Sequence, residues 1–87
     1  MRVVFVWRDQ TDYARMVEEW ITEFERRTGK EIESMSPDSP EGVGFCKAYD
    51  IVEYPSILAL NDDGSVLASW RGKMLPTFDE VNYWTMQ

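Results

Sequence analysis

Residues 49–70 read YDIVEYPSILALNDDGSVLASW, and this stretch decides the architecture. Ile57 to Leu60 is an apolar run entered through Pro55, and Val66 to Trp70 is a second one. Between them stands Asn61-Asp62-Asp63-Gly64, a turn whose short polar side chains and glycine suit a tight hairpin. Antiparallel strands are therefore expected over 56–60 and 65–70. Proline lacks a backbone N–H, so Pro55 fits the start of a strand and not its middle.

Outward from this hairpin the rest of the chain alternates strand and helix. RVVFVW at 2–7 is β-branched and aromatic, as a strand buried on both faces must be. A polar stretch follows, in which Asp9, Thr11 or Asp12 can cap a helix. Tyr13, Met16, Val17, Trp20, Ile21 and Phe24 then recur at spacings of three and four, the apolar stripe of an amphipathic helix. Glu18, Glu19, Glu23 and Arg26 fall on its other side, Glu23 and Arg27 suit an i,i+4 pair, and Gly29 is a C-terminal cap. KEIESMS at 30–36 predicts a weak edge strand. Ser39-Pro40 opens a second helix, interrupted by Gly42 and Gly44, with Phe45 and Tyr49 sharing its buried face. Thr77 and Glu80 have capping-box spacing ahead of Phe78, Val81 and Trp84 on a last helix.

The order is βαβαββα. Strand–helix–strand alternation implies parallel pairing of the first two strands through a right-handed crossover, and the closing hairpin is antiparallel. An α/β domain over residues 1–87 follows: a mixed four-stranded sheet flanked by helices on both faces.

Composition narrows the function classes. The chain of 87 residues carries a net charge of −7, which disfavours nucleic acid and anionic membrane surfaces as partners. The apolar run near the N-terminus is too short for a signal-peptide core or a membrane span, so a soluble, cytoplasmic protein is expected. Cys46 is the one cysteine and histidine is absent, so neither a disulfide framework nor ordinary metal ligation is expected, and no cofactor. One lone thiol suits a reducing compartment.

Over residues 49–72 the sequence resembles the thioredoxin and glutaredoxin superfamily. The matching residues are Tyr49-Asp50-Ile51, Tyr54-Pro55-Ser56, Ile57 to Leu60, Asp63-Gly64, Val66 to Trp70 and Gly72. The resemblance implies the thioredoxin-like fold. It also implies a cis Tyr54–Pro55 bond beside the active-site turn, where the backbone before the proline pairs with an extended substrate. The family carries Cys-X-X-Cys, or at least one Cys, where the first strand meets the first helix. Aligned there, this chain has Thr11-Asp12-Tyr13-Ala14, and residues 1–45 contain no cysteine. Disulfide exchange requires a sulfur nucleophile, so the family's usual reaction is excluded at this position.

The expected function is therefore that of a redox-inactive protein- or peptide-binding module, using a groove of Trp7, Tyr13, Tyr54, Pro55 and Ser56 rimmed by Asp50 and Glu53. A homo-oligomeric, purely structural role is the first rival. The second is a thiol–disulfide or glutathione-linked oxidoreductase working through Cys46 or a partner's thiol. Each candidate residue also has a plainer role. Thr11 is more commonly a helix cap, Asp12 a dipole stabiliser, Trp7 and Tyr13 core residues, and Cys46 a small buried hydrophobe on the second helix.

Overall fold

The computed structural model describes residues 1–85; residues 86 and 87, the end of the domain read from sequence, lie outside the described residues. The elements are β1 (Arg2–Val6), α1 (Ala14–Thr28), β2 (Glu33–Met35), α2 (Pro40–Ala48), β3 (Ser56–Leu60), β4 (Val66–Arg71) and α3 (Phe78–Thr85). They form one four-stranded sheet of order β2-β1-β3-β4. The β1–β2 pair is parallel, whereas β1–β3 and β3–β4 are antiparallel.

Strand alternation divides the interior into two layers. Val3, Phe5 and Ile57 face α1 and α3, where they meet Tyr13, Val17, Phe24 and Val81. Val4, Val6, Leu58 and Leu60 face α2, with Met35, Cys46 and Ile51. Both faces of β1 and β3 are covered, so neither strand alternates apolar with polar residues. Full burial of Phe5 or Leu58 contributes roughly 1.5–3 kcal/mol each. Trp20 joins α1 to the chain before α3: it stacks on Phe24 at 5.1 Å, meets Phe5 edge-on at 5.6 Å, and donates its indole N–H to the Pro76 carbonyl at 3.0 Å.

Several local expectations change. The first helix begins at Ala14, with Tyr13 at its N-cap and no side-chain cap hydrogen bond. A turn comes first, in which the Ala14 N–H reaches the Thr11 carbonyl at 3.3 Å. Thr11 and Asp12 therefore stand before the cap position, and Asp9 is farther out. Met16, expected on the buried stripe, is 39% exposed at the edge of that stripe. The second helix runs unbroken through Gly42 and Gly44. The Thr77 hydroxyl accepts from the Glu80 N–H at 3.1 Å, one half of the capping box. Gly29 ends α1 in the left-handed conformation, φ 71°, its N–H bonded to the Glu25 carbonyl. Among the described residues, no helix is long and apolar enough to cross a membrane.

Candidate functional site

Three loops converge at the end of the sheet where β3 begins. The loop between β1 and α1 supplies Trp7 to Tyr13, the loop before β3 supplies Asp50 to Pro55, and Gly72-Lys73 follows β4. The Gly72 N–H donates to the Pro55 carbonyl at 2.8 Å, extending the β3–β4 ladder by one pair. Gly72 has φ 95°, and a Cβ there would lie 2.9 Å from a Glu53 carboxylate oxygen, so both the backbone conformation and the close approach require glycine. Lys73 Nζ reaches Asp12 at 2.6 Å and ties this loop to the start of α1.

The Tyr54–Pro55 peptide bond is cis. Pro55 and Ser56 are fully buried and Tyr54 is half-buried. The Tyr54 hydroxyl donates to the Ile51 carbonyl at 3.3 Å, and the Ser56 hydroxyl donates to the Glu53 carbonyl. The Arg8 guanidinium lies over the Tyr54 ring, 4.8 Å from its centroid, and binds Asp38 through two hydrogen bonds of 2.9 and 3.1 Å. Among the described residues, neither the backbone N–H nor the C=O of Tyr54 has a hydrogen-bond partner.

The electrostatics follow the pairs. Arg8 holds the Asp38 carboxyl below its ordinary range, and Lys73 does the same for Asp12. The Tyr54 phenol is pushed up, first by burial and then by the neighbouring Cys46 thiol, with Arg8 acting in the opposite sense.

The residues singled out from sequence do not all face one cleft. Thr11 donates its hydroxyl to the Arg8 carbonyl at 2.9 Å, which closes the turn. Asp12 is exposed and paired with Lys73, Ala14 is the first residue of α1, and no acidic residue lies in that helix's first turn. Tyr13 is buried, and its hydroxyl accepts the Arg8 N–H at 3.0 Å. Trp7 lines a separate hollow of about 140 Å³ with Asp9, Ser34, Met35 and Ser36. Of the five, Trp7 and Tyr54 are partly open, but Trp7 opens into its own hollow, which leaves Tyr54 as the partly open residue at the proline loop, next to the buried Pro55 and Ser56. Asp50 and Glu53 are exposed beside the loop, and the Asp50 carbonyl accepts from Arg71 at 3.1 Å. Cys46 is buried in the α2 layer beside Tyr54, on the face of the sheet opposite α1.

Sequence reasoning missed Arg8, Asp38 and Lys73. Arg8 and Asp38 are 30 positions apart and Lys73 and Asp12 are 61 apart, so local periodicity carries no trace of either pair. Chemically, the junction of β1 and α1 offers a hydroxyl, a carboxylate and a buried phenol, none of which exchanges with a disulfide. Among the described residues, no three of Cys, Asp and Glu come together to hold a metal ion.

No family model matches the sequence, and no curated protein matches it. Solved structures do resemble it. Thioredoxin 1 of the thermophilic eubacterium Thermosipho africanus superposes with a TM-score of 0.70 at 12% identity, over 99% of this chain and 91% of that one. Thioredoxin-2, a component of malaria parasite protein secretion machinery, gives 0.71 at 14% identity, over 98% and 81%. A malarial protein gives 0.68 at 13%, over 97% and 91%. Element order, sheet topology and these whole-chain likenesses together establish that the chain has a thioredoxin-like fold.

Proposed function

We propose that this thioredoxin-like domain is redox-inactive and binds an extended segment of a partner protein along Tyr54-Pro55. One observation supports the reading: among the described residues the Tyr54 backbone N–H and C=O lack partners, while its side chain is held by the Ile51 carbonyl and covered by Arg8. A held backbone with unused donor and acceptor can pair with an incoming strand without first breaking bonds of its own. Asp50 and Glu53 give the rim a negative charge and favour a neutral or basic segment. No sulfur stands where disulfide exchange would require it, and the lone, buried thiol suits the cytoplasm. The malarial thioredoxin-2 is a component of a larger machinery, which is a precedent for this fold serving inside an assembly.

The test is affinity capture from the native cell extract with the wild type and a Tyr54→Ala variant, each first checked for an intact fold. A partner retained by the wild type and lost by the variant is the expected outcome. Identical captured sets would contradict the reading.

The proximity of Cys46 to Tyr54 supports a second reading. If the Cys46 thiolate attacked a disulfide of another molecule, one S–S bond would form, one would break, and one thiolate would leave. The sulfur would first have to emerge from a core where its residue is 8% exposed. Turnover abolished by Cys46→Ser is the signature of that reading.

A further inference from the structure

The sheet has two edges, and they differ. On one side, β2 is three residues long and is crossed by the Arg2–Glu33 ion pair. On the other, β4 is six residues long; its one charged residue, Arg71, ends the strand and donates to the Asp50 carbonyl at 3.1 Å, and Val66 to Trp70 contains neither lysine nor proline. Its pairing with β3 is regular from Ala68 to Arg71, and the irregularity at Leu67 disturbs only its beginning.

Register fixes which backbone groups of β4 are unused. The Gly72 N–H bonds to Pro55, and Trp70 and Ala68 lie opposite Ile57 and Ala59. In an antiparallel ladder the bonded pairs alternate with unbonded ones, so Trp70 and Ala68 turn their N–H and C=O toward β3. Ser69 and Arg71 therefore present theirs outward.

Beside this edge runs a groove of about 440 Å³ between β4 and α3, lined by Ala68, Trp70, Glu80, Tyr83 and Trp84. A strand added to β4 would lay alternate side chains into it, over the two indoles. Asp79 and Glu80, both exposed in the first turn of α3, have no cationic partner among the described residues. Together with the net charge of −7, they favour a cationic occupant and oppose a second copy of this chain, whose matching edge would bring the same carboxylates.

We propose that the β4–α3 edge is a second docking site, one that takes an extended, basic segment of a partner protein by strand addition, with apolar side chains on Trp70 and Trp84 and a lysine or arginine against Glu80.

The test is an NMR titration of the 15N-labelled chain with the synthetic octapeptide Val-Ser-Lys-Ser-Val-Ser-Lys-Ser, which carries Val and Lys on one face, with its Glu–Val counterpart (each Lys replaced by Glu) as the charge control. Saturable shifts are expected in the Ser69 and Arg71 amides and in the Trp70 and Trp84 indole N–H groups. Glu80→Lys should weaken binding about tenfold, about 1.4 kcal/mol. Ser69→Pro should abolish it, because the lost N–H points outward and serves no bond to β3. Tyr54→Ala should leave it unchanged, which separates this site from the one at Tyr54. If Ser69→Pro does not fold, as judged from the β1 amides, Glu80→Lys decides alone. Equal binding of the Glu–Val peptide, shifts confined to residues 50–55, dimer formation without peptide, or no saturable shift would each overturn the proposal.

Discussion

Cys46 and Tyr54 show how burial decides what a reactive side chain can do. The thiol sits among Val4, Val6, Leu58 and Leu60, where apolar neighbours make it an inert filler. Alkylation of Cys46 by iodoacetamide in the native protein should be slow and should become rapid only in denaturant, as followed by mass spectrometry. Fast native labelling would contradict this. Glu23 is the strongest titration marker. Hydrogen bonds from Arg26 and Arg27 lower its pKa from the ordinary 4.5 to about 2. A carboxyl whose pKa falls on folding contributes stability above its unfolded pKa and loses that contribution as pH drops through about 2. Carboxyl NMR should place the Glu23 midpoint near 2, and the double variant Arg26→Ala/Arg27→Ala should return it toward 4.5. The sequence offers burial as the plainer role of Cys46, and the structure places it there; for Glu23 the i,i+4 spacing to Arg27 reads as a pair, while Arg26, three residues on, reads only as a neighbour on the same face.

At the scale of elements, two glycines that look alike in the sequence have opposite roles. A Cβ on Gly42 would fall 1.7 Å from the Ser36 carbonyl oxygen, because the Ser39 cap folds the preceding turn tightly over the helix start. Gly44 meets nothing within 4 Å. Gly42→Ala should therefore destabilise by about 2 kcal/mol or more, from forced backbone displacement. Gly44→Ala should stabilise by about 0.5–1 kcal/mol, by removing unfolded-state freedom from a helix interior. Urea unfolding of the two variants reads both signs, and matching signs would refute the assignment. From sequence both glycines argued equally against a helix, since an interior glycine disfavours one and its tertiary neighbours are invisible. The start of α1 misled for a similar reason. Asp9, Thr11 and Asp12 are all good caps, yet Thr11 closes a turn with Arg8 and Asp12 turns to Lys73. Local propensity named three caps, and the loop contacts used none of them.

Across the whole molecule, the sheet was the most legible part. The β-branched and aromatic run within 2–7 fits a strand buried on both faces, charged residues at 30–36 fit an edge, and an Asn-Asp-Asp-Gly turn between 56–60 and 65–70 fits the hairpin; that β3 is central beside β1 is the structure's addition. The convergence of the three loops was legible only through Pro55 and Gly72, whose backbone roles leave a mark on residue type. Arg8, Asp38 and Lys73 left none. Trp20, which bridges Phe5, Phe24 and the Pro76 carbonyl, binds the α1 layer together. Trp20→Ala should cost about 3–5 kcal/mol in chemical denaturation, and a loss below about 1 kcal/mol would contradict its place in that layer.

The central claim is that a thioredoxin-like framework here works without a sulfur nucleophile. The direct measurement is the steady-state reduction of a protein disulfide by dithiothreitol, with and without the chain, comparing wild type and Cys46→Ser. Both proteins should leave the rate at the uncatalysed background. A rate above background for the wild type that disappears with Cys46→Ser would contradict the claim.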